Sequence, residues 1–424
     1  MIENARVATR FRREVGSTLA AQVTALIVNA ITLVLVARWL GTSGKGVQAL
    51  ITTTAQLVAS LGSFGLAGSV PYFVAASRDR TTAALRNGAW MLGVVLLLGV
   101  IVAVGERSIG GLGFEGHEAV LLALVVTTSA LTYASALLLA LGDVRWFNRL
   151  VVADAAIAFV GSVIAEQIAA GDPDAFVLAQ AVAMGMASVA ALGRIRSLTS
   201  AMPERALPLR QQLRVALLGY ASGAFVQLAT RADLLIVTAI GGGLSAAGVY
   251  SVAVAVSETI LRVPQWVAQL LTPRVARAAV TPRTTVTLAL AAMTSAAIAS
   301  VFVVALSGPL EALLATAIGP GFVPAYAVVI VLLPRIVFQS GTTMLAGDLA
   351  GRGYTLYHPV ATGAGVLVVV IVDLALVPLL GPVGAGLGAS TGAFVTLIIF
   401  GIGFRRADKR RVETAPVPAE SPFS

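Results

Sequence analysis

Two short runs in the second half of the chain set ionisable side chains inside otherwise apolar sequence. In "QLATRADLLIV" Arg231 and Asp233 stand two apart; in "SETILRV" Glu258 and Arg262 stand four apart. Residues at i and i+4 share a helical face, so Glu258 and Arg262 are spaced for an internal salt bridge. Residues two apart do not meet, so Arg231 and Asp233 each need a partner elsewhere. Glu258 could serve the first across neighbouring helices, and Arg335 the second. Asp373 follows in the second half, and Asp154 and Arg38 are the counterparts in the first half. If carboxylates neutralise Arg231, Arg262 and Arg335, the cluster is structural. If they do not, a positive hollow remains, and a guanidinium fork matches the oxygens of a phosphate or pyrophosphate. Carboxylates left unpaired among Asp233, Glu258, Asp373 and Asp154 would instead suit protons, sodium or cationic solutes. The amides Gln227, Gln265, Gln269 and Gln339 can reach either sugar hydroxyls or a neighbouring helix.

The elements that must hold these groups are membrane helices. The 424 residues are 58% hydrophobic and only 12% charged, with a mean hydropathy of +0.91. Water-soluble domains carry about 25% charged residues, so this chain could not cover its own surface in water. Apolar runs between charge clusters give twelve expected helices near 15–37, 47–75, 84–104, 118–141, 150–169, 175–196, 213–240, 245–272, 284–306, 324–349, 358–380 and 384–404. The fold class is therefore all-α, with about twelve transmembrane helices. Arg and Lys fall mostly on one side of this arrangement: the N-terminus, Arg78, Arg80, Arg86, Arg145, Arg149, the run Arg194 to Arg214, Arg274, Arg277, Arg283, Arg352 and Arg405 to Arg411. The other side has Arg38, Lys45 and Arg107, with Glu106, Glu115, Glu118, Glu166, Asp172, Asp174 and Glu311. Such asymmetry puts both termini in the cytoplasm. It also accounts for the net charge of +9 as topology and attraction to anionic lipid head groups, which removes the case for a nucleic-acid partner.

No cysteine is present and only two histidines, His117 and His358, so thiolate chemistry and a His-rich metal site are both excluded. No phosphate-binding Gly-Lys motif precedes a helix. The reading is therefore a protein without catalytic residues, metal or cofactor. The closing "VETAPVPAESPFS" has no apolar period and reads as a disordered tail.

The chain contains a faint internal repeat. Shifting by 202 positions lays Gly41 on Gly243, Gly46 on Gly248, Val47 on Val249 and Pro71 on Pro273. An even number of helices per half makes the two halves parallel, related by an axis along the membrane normal. The expected layout is a cytoplasmic segment 1–14, a six-helix bundle 15–197, a linker 198–212, a second six-helix bundle 213–404, and a basic then disordered tail 405–424. A cavity between the bundles is the natural consequence, with alternating access by rocking. The uncharged stretch 46–77 would reach roughly 47 Å as one helix, against about 30 Å of hydrocarbon. Its hydroxyls either line a wet cleft or bond their own helix, and Gly62, Gly65 and Gly68 are the candidate bends.

Several stretches resemble a known family. "ARWLGTSGKGVQALITTTAQLVASLGSFGL" is similar to the first-to-second-helix region of bacterial polysaccharide flippases. "RADLLIVTAIGGGLSAAGVYSVAVAVSETILRVPQWVAQLLTPRVAR" is similar to their seventh and eighth helices, and "LAGRGYTLYHPV" with "LVPLLGPVGAGLGAS" to their tenth-to-twelfth-helix region. The resemblance is to the multidrug, oligosaccharidyl-lipid and polysaccharide exporter superfamily. It implies a flippase that carries a lipid-linked (undecaprenyl-pyrophosphate type) oligosaccharide or polysaccharide precursor from the cytoplasmic to the outer leaflet of a bacterial plasma membrane. Arg231, in the matching Arg-x-Asp motif, and Arg38, in the matching first turn, are the residues it marks for the pyrophosphate. Polysaccharide polymerases or glycosyltransferases are the implied protein partners of a monomer. The two extra C-terminal spans of the lipid II branch are lacking, which favours a glycan precursor other than lipid II. The alternative is a cation-coupled multidrug antiporter of the same fold. A metabolite facilitator of another twelve-helix fold is disfavoured, because "ASRDRTTAALRNG" lacks the Gly-bounded loop pattern. A non-transporting scaffold for polysaccharide assembly is the remaining reading.

Overall fold

The computed structural model describes residues 2–109, 113, 115–200, 203–276, 282–352, 354 and 356–414; within these, the side chains of 2–15, 109, 218, 260, 262–276, 307 and 409–414 are not described. Among the described residues the fold is entirely helical. The N-terminal half holds α1 (Ile2–Gly62), α2 (Leu66–Val74), α3 (Thr81–Ile109), α4 (Glu118–Ala140), α5 (Val144–Ile168) and α6 (Pro173–Thr199). The C-terminal half holds α7 (Leu209–Ile240), α8 (Gly243–Ala276), α9 (Pro282–Ala305), α10 (Ser307–Leu313), α11 (Ala325–Gly351), α12 (Tyr357–Leu380) and α13 (Pro382–Thr414).

Ten segments among the described residues are long and apolar enough to cross a membrane. One of them, Gly16–Gly62, is 47 residues long, about twice what a bilayer core needs. It is two crossings joined at Gly41, whose φ of 64° and ψ of −174° interrupt the helix. The second crossing then breaks again, at Phe64 (φ 46°) and Gly65 (φ 72°), before α2 resumes. Of the three candidate bends, Gly65 is the one used: only it takes the left-handed backbone that a residue lacking Cβ adopts without strain. With α8, which carries Glu258 and Arg262 along its course, the crossings number twelve, and α1's start and α13's end lie at the same end of the bundle.

Residues 2–14 continue α1 as helix ahead of the apolar span that begins at Gly16. The basic tail is helical through Thr414, in α13; residues 415–424, the rest of the expected disordered tail, lie outside the described residues. The connection between α9 and α11 holds α10, a π-helical turn Leu314–Ile318 and a short 3-10 turn Pro320–Phe322.

Each half has its own apolar core. Leu50, Val70, Met91, Leu124, Tyr133 and Ile195 are buried together in the N-terminal half, and Val237, Tyr250, Leu332, Ile336 and Val377 in the C-terminal half. The halves meet where α1 packs on α8 and α7, and where α2 packs on α7. The contact far from the chain termini is reciprocal: Gly46 of α1 closes on the carbonyl of Leu244, and Gly248 of α8 closes on the carbonyl of Thr42. These pairs exchange under the 202-residue shift, so the sequence repeat is a structural two-fold. No side chain fits at either glycine, which lets the two backbones touch.

Candidate functional site

The charged residues of the second half converge on two places. In the core of the C-terminal half, Asp233 of α7 is 1% exposed. It accepts a short hydrogen bond from the Tyr250 hydroxyl of α8, and its Oδ1 accepts from the backbone N–H of Leu234 at 2.8 Å. Arg335 of α11 approaches with Nη1 3.9 Å from Asp233 Oδ2. Asp373 of α12 is fully buried, and neither of its oxygens has a hydrogen-bond partner; Gly388 of α13 packs directly against it, leaving no room for a Cβ. One guanidinium therefore faces two buried carboxylates, a costly arrangement unless a proton or a cation balances it.

The second place is the cleft between the halves. A cavity of about 140 Å³ there is lined by Lys45, Thr52 and Thr53 of α1 together with Arg231, Tyr250, Ser251 and Glu258 of the other half. Arg231 Nη1 lies 3.8 Å from Glu258 Oε1, with both side chains only part-buried. Lys45 is 9% exposed; its Nζ donates to Gln48 Oε1 at 2.7 Å, one turn along the same helix. Among the described residues no carboxylate lies within ion-pair distance of Lys45. Beside this cavity, another of about 160 Å³ is lined by Gln56, Ser60, Ser63, Thr128 and Thr132 of the first half and Gln227 of the second. The hydroxyl-rich stretch after Gly46 thus faces the cleft. Its hydroxyls also bond their own helix, as Thr52 does to the Gln48 carbonyl at 2.9 Å and Ser63 to that of Ser60 at 2.9 Å.

A larger cavity of about 480 Å³ lies within the C-terminal half, between α7, α11, α12 and α13, and takes in Arg335 and Gln339.

The expected site residues fare unequally. The cross-helix pairings Arg231–Glu258 and Asp233–Arg335 are both formed, so these arginines are not free cations, and the expectation of an uncompensated guanidinium cluster is corrected at these two positions. The physical reason is the burial itself, which favours placing an opposite charge beside each arginine. Arg38 is exposed and stands apart: its Nη1 donates to the Thr316 carbonyl at 3.4 Å, so it clasps the second half away from the cleft. Asp154 sits on α5 in the first half, remote from the other charges, with a buried Oδ1 lacking a partner. Gln227 lines the cleft and Gln339 the larger cavity. The side chains of Arg262, Gln265 and Gln269 lie outside the described residues, and with them the expected Glu258–Arg262 pair.

Sequence reasoning missed Lys45, Gln56 and Tyr250. By charge counting Lys45 falls among the few basic residues of the outer side. Yet the chain re-enters helix at once after Gly41, which carries Lys45 inward.

No family model matches the chain, and no curated protein matches it. Solved structures do. An inward-facing multidrug resistance MATE family transporter of the MOP superfamily matches with a TM-score of 0.69 at 16% identity, over 92% of this chain and 96% of that one. The lipid II flippase MurJ, in an inward closed conformation, matches with 0.69 at 11% identity, over 93% and 90%. A MOP superfamily transporter from Pyrococcus furiosus matches with 0.66 at 15% identity, over 95% and 97%. Twelve crossings in two halves about a polar cleft, superposing on all three from end to end, give this chain the fold of the MOP superfamily transporters.

Proposed function

We propose that this chain is an alternating-access flippase for a lipid-linked glycan, of the undecaprenyl-pyrophosphate type, in a bacterial plasma membrane. Both termini are cytoplasmic in this reading, and the glycan head crosses through the cleft between the halves. The observation that carries it is Lys45: a nearly buried ammonium at the junction of the halves whose partner is a neutral amide. Arg231 stands on the same cavity, balanced by Glu258, and hydroxyls and amides from both halves line the rest of the cleft. A pyrophosphate takes up the spare positive charge, and sugars take up the hydroxyls and amides. The fold is shared with a lipid II flippase, MurJ, which supports reading the cargo as lipid-linked. An inside-negative potential favours outward movement of an anionic head by about 2.3 kcal/mol per charge per 100 mV.

The test is translocation of a fluorescent undecaprenyl-pyrophosphate glycan in proteoliposomes. A charge-assisted hydrogen bond contributes about 1.5–3 kcal/mol, so Lys45→Met lowers the rate by about 10- to 100-fold, as does Arg231→Ala, with insertion unchanged. Lys45→Arg keeps most of the rate. Full flux in Lys45→Met removes the pyrophosphate role.

A second reading, cation-coupled antiport, is favoured by one observation: Asp373, whose two buried oxygens lack partners beside an already engaged Asp233. Under it, Asp373→Asn abolishes dependence of flux on a proton or sodium gradient. Gradient dependence that survives in Asp373→Asn counts against coupling at this carboxylate.

A further inference from the structure

The cavity of about 480 Å³ inside the C-terminal half belongs to neither reading. α7 separates it from the cleft; Thr230 borders both. We propose that this cavity is a binding site for a small, neutral, polyhydroxylated ligand of mono- or disaccharide size, distinct from the cleft between the halves.

The first support is unmet hydrogen bonding. Buried polar atoms almost always have partners, yet three that line this one cavity do not: Arg335 Nη1, Gln339 Oε1 and His358 Nδ1. Arg335 is 4% exposed, so solvent at the surface does not satisfy it. Arg335 and Gln339 are one helical turn apart on α11, and His358 faces them from α12.

The pattern of donors and acceptors selects the chemical class. The threonines on the wall spend their protons on their own helices: Thr343 donates to the Gln339 carbonyl at 2.7 Å, and Thr362 to that of His358 at 2.8 Å. Their oxygens still accept. The cavity thus offers a guanidinium donor at its deep end and acceptors along its length. A hydroxyl group, both donor and acceptor, answers both.

Charge excludes the other classes. Arg335 already faces Asp233 at 3.9 Å, so no free positive charge awaits an anion, and no carboxylate is among the residues lining this cavity to hold a cation. The volume falls in the range of small-molecule pockets. Phe400, packed edge-on to His358 with centroids 5.4 Å apart, supplies an apolar surface for the C–H face of a sugar ring.

This inference does not rest on the flippase reading, and the experiment separates the two. The full chain is placed in nanodiscs free of glycoside detergent and titrated calorimetrically with maltose and with N-acetylglucosamine. Saturable binding of at least one is expected. Gln339→Leu weakens it at least tenfold, Ala346→Phe abolishes it by filling the cavity, and Arg231→Ala in the cleft leaves it within twofold. Should Ala346→Phe melt early, Gln339→Leu carries the decision, because it removes polar atoms at nearly constant bulk. Any of four results overturns the proposal: no saturable binding of either sugar, as for a cavity that holds water only; binding indifferent to Gln339→Leu; binding lost in Arg231→Ala alone, which assigns the sugar to the cleft; or, in place of sugar binding, pyrophosphate or tetraethylammonium binding that Gln339→Leu weakens.

Discussion

Tyr250 and Asp233 show how a carboxylate survives in the middle of a membrane protein. Asp233 has two oxygens and uses both: one takes the Leu234 N–H, the other the Tyr250 hydroxyl, with Arg335 behind. Replacing Tyr250 by Phe removes one donor and leaves the rest of the packing in place. A buried acceptor stripped of its partner costs about 1–3 kcal/mol. Tyr250→Phe should therefore lower the melting temperature of the purified protein by several degrees, whereas Tyr354→Phe, near the membrane surface, should not. The same residues mark what the sequence disclosed. Coulomb's law and helical spacing were enough to pair Arg231 with Glu258 and Asp233 with Arg335 across helices, since few opposite charges were on offer. They could not disclose Lys45 as a cleft residue. Its placement depends on the 64° φ of Gly41, a backbone choice that neither charge nor hydropathy encodes.

α1 and α8 are the elements on which the geometry turns. Each begins its cleft-lining stretch just after a glycine with positive φ, Gly41 in one and Gly243 in the other. Each then presents one further glycine, Gly46 or Gly248, to the backbone of its counterpart. The repeat was legible because this contact tolerates only glycine on both sides and so leaves the same letters 202 positions apart. The breaks within α1 and after Gly62 were only half legible. Three glycines were candidates for the bend, and packing of Gly65 against the Ala216 carbonyl, 2.9 Å from where a Cβ would stand, decides between them. A Cβ at Gly248 would collide with the Thr42 carbonyl, and a backbone group cannot swing aside. Gly248→Val should therefore part the halves at the end far from the termini. In this cysteine-free chain a single Ser251→Cys reporter lines the cleft. Its modification by a membrane-impermeant maleimide should rise several-fold when Gly248→Val is added. An unchanged rate would mean that the helices absorb the methyls without separating.

Seen whole, the molecule is two bundles held at both ends of a polar cleft by different means. At the end near the termini, α7 is tied to the first half: Tyr220 donates to the Leu61 carbonyl at 2.8 Å, and Gln212 bridges Asn87 at 2.8 Å and Tyr133 at 3.2 Å. The two Gln212 bonds are buried side-chain bonds, costly to break singly. At the opposite end the contact is close backbone packing plus two exposed bonds, Ser245 Oγ to Thr42 Oγ1 at 2.8 Å and Arg38 Nη1 to the Thr316 carbonyl at 3.4 Å. Fewer polar bonds must be given up there, so that end is the one suited to open and close as the halves rock. Two hydroxyls this near place their Cβ atoms close to the span a disulfide bridges. The double variant Thr42→Cys with Ser245→Cys should cross-link under mild oxidation, seen as resistance to maleimide labelling. With the bridge closed, flux in proteoliposomes should fall at least tenfold and return on reduction, while each single variant transports normally under both conditions. Transport that continued through the cross-linked protein would mean that this contact never separates during the cycle, and the moving gate would have to be sought among the bonds that α7 makes at the other end.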